Sequence, residues 1–370
     1  MLQKLTAVLM VVASLGFLAR SAKAQVAPPA QAGPLQWKCA WPFGVPNRTA
    51  ADADSAVRMI KSVGFNAFAV GGGTSEFKQG IVQACRKGGV AIYWVLNPVY
   101  GEWGWHLEKG VIPPTVDCLQ QYDDLAKLNT ASTPDDVVYA GPWLCIDRPE
   151  VRQFAVEMAK ACIRNYSPDG LALDFIGYKN LQGCQCSYSR AQRAAFAKAH
   201  LELSPEQAAV QFSLTSITAV YDQIRAVSLT ENPKIKLMCH VYPPFVPEPI
   251  YGNRLAVEYP AQTVSWFFIP HWPLQKVSER CGLIKETEKK YHDYVTGTAF
   301  IGVYDDDKSR KSPQRIHEEL QTIKQAGIHG FCIAGDLSFL TDTPQARALS
   351  EELGGTLHLS PASQPAAGAQ

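Results

Sequence analysis

Ser167-Pro168-Asp169-Gly170-Leu171-Ala172-Leu173-Asp174-Phe175-Ile176-Gly177-Tyr178 is the stretch on which the fold turns. The Asp169-Gly170 pair reads as a turn, and large and small apolar residues alternate after it. Alternation of this kind marks a strand with two different faces. It predicts a strand over Gly170–Ile176, with Leu171, Leu173 and Phe175 on one face and Ala172 and Asp174 on the other. A carboxylate at the end of an apolar strand is costly to bury unless it is paired or used.

Outward from this strand, apolar runs and amphipathic helical segments take turns. Strands are predicted at Leu35–Trp41, Phe65–Gly71, Val90–Asn97, Gly170–Ile176, Ile235–Tyr242, Val264–Pro270, Ala299–Tyr304 and Gly330–Asp336. Helices are predicted at Ala51–Val63, Glu76–Lys87, Arg148–Asn165, Ser189–His200, Pro205–Thr230 with a break, Leu274–Tyr294 and Pro313–Ala326. Ser55, Ser204 and Ser312 serve as start signals and Gly64, Gly88 and Gly327 as stop signals. This repetition argues for a parallel sheet, and the strand count favours closure into a single-domain (β/α)8 TIM barrel. A doubly wound open sheet is the runner-up. No G-x-G-x-x-G follows a strand.

The ends of the chain read differently. Lys4, the apolar stretch Leu5–Leu18 and Ala22-Lys23-Ala24 make residues 1–24 a secretory signal peptide, with Gln25 as the mature N-terminus. Residues 25–34 read as a flexible leader, 35–355 as the barrel and 356–370 as a disordered tail. The expected location is therefore secreted or periplasmic, with no membrane association after cleavage. A net charge of +1 and 19% charged residues offer no basic stripe, which argues against nucleic acid as a partner. Ten cysteines in a secreted chain allow disulfides. At least one of Cys184 and Cys186 is expected to be bonded, with Cys145 or Cys118 as its partner.

Active sites of such barrels lie at the C-terminal strand ends. The ends here carry Asp174, His240 and Tyr242, His271 and Trp272, Tyr304 and Asp306, and Asp336, and the loop after the third strand carries Glu102 and Trp103. Cleavage of a glycosidic bond uses two carboxyl groups, a proton donor and a nucleophile or base. Aromatic rings offer flat faces to sugar rings. The catalytic set is thus Asp174 with Asp306, Asp336 or Glu102. Tyr178, His240, Tyr242, His271, Trp272, Tyr304 and Trp103 are expected to bind an oligo- or polysaccharide. No cofactor is called for. The alternatives are a non-catalytic glycan-binding barrel and a metal-dependent hydrolase built on His240, His271 and Asp336, although no H-x-H or H-E-x-x-H spacing supports the latter.

The stretch Cys145–Phe196 resembles the fourth βα unit of glycoside-hydrolase-like TIM barrels, distantly of the α-amylase type. It carries Arg148-Pro149-Glu150-Val151-Arg152, a helix, Tyr166-Ser167-Pro168-Asp169-Gly170 and then Leu173-Asp174-Phe175. The resemblance implies a nucleophilic or charge-stabilising role for Asp174. Two departures stand out. Ala172 occupies the place of the arginine two residues before the aspartate, and the fifth strand reads Met238-Cys239-His240 where a glutamate belongs. The acid/base partner therefore does not transfer.

Overall fold

The computed structural model describes residues 34–42, 50–72, 74–100, 107–108, 110–122, 142–242, 244–304, 306–336 and 341–357. The proposed signal peptide, leader and most of the tail lie outside these residues, as do Glu102, Trp103 and Asp305.

Eight parallel strands close into one barrel in chain order. They are β1 (Trp37–Pro42), β2 (Ala67–Val70), β3 (Ala91–Leu96), β4 (Gly170–Leu173), β5 (Lys236–His240), β6 (Tyr259–Thr263), β7 (Thr298–Val303) and β8 (Gly330–Gly335). The ring closes where Trp37–Pro42 pairs with Gly330–Gly335. Around it pack α1 (Ala50–Val63), α2 (Ser75–Gly88), α3 (Pro149–Tyr166), α4 (Ser187–Ala199), α5 (Pro205–Glu231), α6 (Leu274–Thr287), α7 (Pro313–Gln325) and α8 (Pro344–Leu353). None of the described helices is long and apolar enough to cross a membrane.

Strand alternation divides the core in two. Cys39, Ala69, Val95, Ala172, Met238, Ala261, Phe300 and Cys332 belong to the cluster that fills the lumen. Their neighbours Leu171, Leu173, Leu237, Ile301 and Ile333 pack outward against the helices. At the floor, Trp37 stacks on Tyr259 with ring centroids 4.1 Å apart, and Tyr93 meets both edge-on. The lumen is therefore a packed core whose free end is the C-terminal mouth.

The helix signals mostly hold, for local reasons. Ser204 and Gln207 form a reciprocal capping box at the start of α5, and Ser312 Oγ accepts from Arg315 N at 3.1 Å. Ser55 lies inside α1, and the cap of α2 is Gly89 at φ +68° rather than Gly88. Helix α5 runs unbroken, α6 stops at Thr287, and α8 was not anticipated.

One strand is displaced from its expected place. The sixth is Tyr259–Thr263, whereas Val264–Pro270 forms the connection across the mouth. Pro260 and Gln262 make the true strand read as a loop. Gln262 is nonetheless fully buried, because its Oε1 accepts from Gly252 N at 2.9 Å in the β5–β6 connection. The apolar run that mimicked a strand sends Trp266 and Phe267 into the lumen cluster. Gly302 makes room for this. A Cβ there would lie 2.1 Å from the Phe267 ring.

Candidate active site

Asp174 follows the last residue of β4, and its backbone N–H still donates to Leu96 O at 3.0 Å. It continues the Gly170–Ala172 parity into the lumen mouth, and it is only 5% exposed. The next residue leaves the extended conformation. Phe175 has φ +54°, a left-handed value that is uncommon for a bulky side chain. This turn lets Phe175 N donate to Asp174 Oδ1 at 2.9 Å. It also turns the Phe175 ring onto Tyr100, 4.9 Å away, and towards Tyr242, 5.7 Å away. The chain thus bends directly after the carboxylate and surrounds it with aromatic rings.

His240 ends β5, next to β4 in the ring. Its Nδ1 lies 3.2 Å from Asp174 Oδ1 and its Nε2 3.2 Å from Thr263 Oγ1 at the end of β6. Its ring stacks on Phe300 with centroids 3.9 Å apart, and Trp41 approaches edge-on at 6.2 Å. Three strand ends therefore hold one imidazole. Asp174 Oδ1 receives two hydrogen bonds, while Oδ2 has no hydrogen-bond partner among the described residues. An anchored oxygen beside an uncommitted one is what a carboxylate needs in order to face a reacting centre.

Beside this dyad a cavity of about 170 Å³ opens, lined by Tyr242, Gln262, Thr263, Trp266, Trp272 and Arg280, among others. It is smaller than the roughly 300–1,000 Å³ of drug-sized ligand sites, and it suits a single ring.

The remaining residues of the expected site scatter. Tyr178 is 1% exposed and donates to Asp147 Oδ1 at 2.6 Å, which ties down the loop after Asp174 from within the core. Burial, then the neighbouring Asp147 carboxylate, raises its pKa well above the ordinary phenol value. His271 bonds through Nε2 to Ser309 O at 3.2 Å, and burial lowers its pKa. Trp272 stacks on Trp266 at 5.9 Å, and Lys276 Nζ sits 3.8 Å from the centroid of its ring. Tyr304 meets Phe267 edge-on at 6.2 Å. Asp306 is exposed, and its Oδ1 accepts from Lys308 N at 2.8 Å within its own turn. Asp336 is half-buried just past β8, the strand opposite β4 in the ring. Thr263 and Phe300 were not anticipated, and Thr263 follows Pro260 in an unrecognised strand.

The expected disulfide is not formed. All ten cysteines are free thiols. Among the described residues, the set of metal-ligating side chains that converges is Cys145, Cys184 and Cys186, not His240, His271 and Asp336.

Comparison with protein-family models and with curated proteins finds no match. Solved structures do share the architecture. A β-galactosidase from Rahnella sp. aligns at TM-score 0.52 and 12% identity, over 86% of this chain and 56% of that one. A β-galactosidase from Bacillus circulans sp. alkalophilus aligns at TM-score 0.54 and 12% identity, over 87% and 56%. The catalytic domain of a β-amylase from Paenibacillus polymyxa aligns at TM-score 0.52 and 10% identity, over 88% and 100%. This chain spans little more than half the length of the two β-galactosidases. At these identities the likeness is one of fold alone: the chain carries a (β/α)8 barrel.

Proposed function

We propose that the chain is a secreted carbohydrate-active hydrolase in which Asp174 acts at the scissile glycosidic bond of an oligo- or polysaccharide. The observation that carries this reading is the geometry of the Asp174 carboxylate. It is buried at the barrel mouth, with Oδ1 held by Phe175 N–H and His240 and Oδ2 uncommitted. In this role Asp174 faces the positive charge that develops in an oxocarbenium-like transition state. Asp336 supplies the second carboxyl group. It continues the lumen parity of Cys332 and Ala334 and follows the strand opposite β4. Asp306 is a weaker partner, because its carboxylate already closes an exposed turn. The cavity between Tyr242 and Trp272 takes one sugar ring beside the dyad. The galactosidases and amylase that share the fold accord with this substrate class.

A glycan-library screen of the wild-type protein beside Asp174→Asn tests the reading. The substitution removes transition-state stabilisation and leaves much ground-state binding. Turnover is expected to fall roughly 10³-fold or more, with a modest change in sugar affinity. Turnover within a few-fold of wild type would overturn the assignment. Secretion is tested separately, by a mature N-terminus at Gln25.

One observation favours a second reading, a barrel that binds glycans without cutting them. The side chain bonded to Asp174 is a histidine, and no other carboxylate bonds to either member of the dyad among the described residues. Glycan binding without cleavage of any library member would establish it.

A further inference from the structure

Cys145, Cys184 and Cys186 place their sulfurs within 4.8 Å of one another, and all three are buried. They come from two distant stretches. Cys145 follows the bridge between Leu119 and Leu144, and Cys184 and Cys186 flank Gln185 in the loop after Asp174. We propose that these three cysteines supply three positions of the tetrahedral shell of one Zn²⁺ ion that clamps the loop following Asp174.

The distances favour a shared metal over a bond between sulfurs. Cys145 Sγ and Cys186 Sγ are 3.9 Å apart. A disulfide holds its sulfurs at about 2.05 Å. A tetrahedral zinc shell with Zn–S near 2.3 Å spaces its sulfurs about 3.8 Å apart.

Backbone N–H groups point at two of the sulfurs. Gln121 N and Cys186 N each donate to Cys184 Sγ at 3.4 Å, and Ser189 N donates to Cys186 Sγ at 3.4 Å. Cys186 is also the N-cap of α4, where the positive end of the helix dipole lies. Arg148 stands over the group. Its Nε is buried without a hydrogen-bond partner. Thiolate is the form a metal binds, and any thiol still protonated gives up its proton on binding.

The clamp acts on the site through short connections. Gln120 Nε2 donates to Gly177 O at 2.9 Å, and Gln120 Oε1 accepts from Lys179 N at 3.0 Å. Gln121 O in turn accepts from Gln185 N at 2.7 Å. The loop after Asp174 is thus sewn to residues 120–121 at the point where the sulfurs meet.

The test uses the full chain, purified under reducing conditions without chelator. Elemental analysis is expected to find one zinc per chain. After zinc is stripped, Co²⁺ is expected to give the intense thiolate-to-cobalt charge-transfer absorption of a tetrahedral sulfur site. Cys145→Ser and Cys186→Ser are expected to weaken Zn²⁺ binding by more than the roughly 10–100-fold that loss of an outer-shell partner costs. Cys281→Ala, buried on α6 away from the cluster, is expected to keep the metal. If the serine variants fail to fold, the cobalt titration of wild-type protein still decides. No bound zinc and no charge-transfer band in the reduced wild type would overturn the proposal. So would a Cys145–Cys184 or Cys145–Cys186 disulfide in protein isolated without reductant.

Discussion

The two sides of the barrel mouth are built on opposite plans. On the β4–β5 side the polar groups are buried inside the lumen and bonded to one another. Asp174, His240 and Thr263 form one chain of contacts at 3.2 Å, with Phe300 stacked beneath the imidazole. On the β7–β8 side the carboxylates stand at the rim, Asp306 exposed and Asp336 half-buried. The buried charge there lies behind the rim. Lys311 Nζ meets Glu319 Oε2 and Ser265 Oγ at 2.9 Å, and Arg315 Nε meets Glu319 Oε1 at 2.8 Å. One side presents a pre-organised carboxylate to the lumen. The other places its buried charge in the wall and sets Asp306 in solvent and Asp336 half-buried at the rim. Two carboxyl groups in unlike settings are what acid and nucleophile require of a glycosidase.

The largest effect that sharpens this contrast after loss of Asp174 is loss of its proposed partner. Asp336→Asn is expected to lower kcat by about 10²–10⁴-fold on a cleaved glycoside, the range for removal of a general acid. A substrate with an activated leaving group, which needs no protonation, is expected to recover much of that rate. Equal loss on both substrates would show that Asp336 does not act as the acid.

The wall behind the β7–β8 rim makes the next prediction. Lys311 and Glu319 side chains are fully buried. Glu319→Gln leaves a buried ammonium without its charge partner and is expected to cost about 3–5 kcal/mol in denaturant unfolding at pH 7. The pH dependence follows from the direction of the shift. Burial pushes the Glu319 pKa up, but Lys311, Ser265 and Arg315 outweigh it and bring it below the ordinary value. The stabilisation is therefore present above the unfolded glutamate pKa of about 4.3 and lost as pH falls through the lower folded value. Burial also lowers the Lys311 pKa. For both groups the native state holds fewer protons than the unfolded one, so stability rises with pH in each window. Glu319→Gln is expected to flatten the acid limb of a Tm-against-pH curve. An unchanged acid limb would show that the pair does not govern it.

How far the sequence could be read follows the same division. The β4 strand was legible because small and large residues alternate up to Asp174, and each side of that alternation meets a different core. It stopped being legible one residue later. Phe175 was counted with Leu171 and Leu173 and does pack against their cluster, but its positive φ also brings its ring to Tyr242. The sixth strand was hidden because the oxygen of its buried Gln262 is held by a backbone N–H that only the folded β5–β6 connection supplies. With that strand misplaced, Thr263 could not be seen as the second anchor of His240. Tyr178 looked like a mouth residue because it closely follows Asp174, but its hydroxyl had a buried partner in Asp147. The three cysteines were rightly brought to one place, while the chemistry expected of them was not what the free thiols show.

The smallest expected effect breaks the contrast most directly. Asp306 and Asp336 sit on neighbouring strand ends, and the sequence alone placed Asp306 slightly ahead. The structure separates them by exposure, Asp306 being exposed and Asp336 half-buried. Asp306 Oδ1 accepts from Lys308 N, and its backbone carbonyl accepts from Ser309 N and Arg310 N, so the residue is the hub of an exposed turn. Asp306→Ala removes one solvent-facing hydrogen bond and is expected to cost about 0.5–1.5 kcal/mol of stability. Turnover is expected to stay within a few-fold of wild type on every substrate. A large loss of kcat with unchanged stability would make Asp306 the acid, and the turn a device for aiming it across the mouth at Asp174. Asp336 would then be the residue whose substitution is tolerated, and the division of labour between the β7 and β8 ends would be reversed.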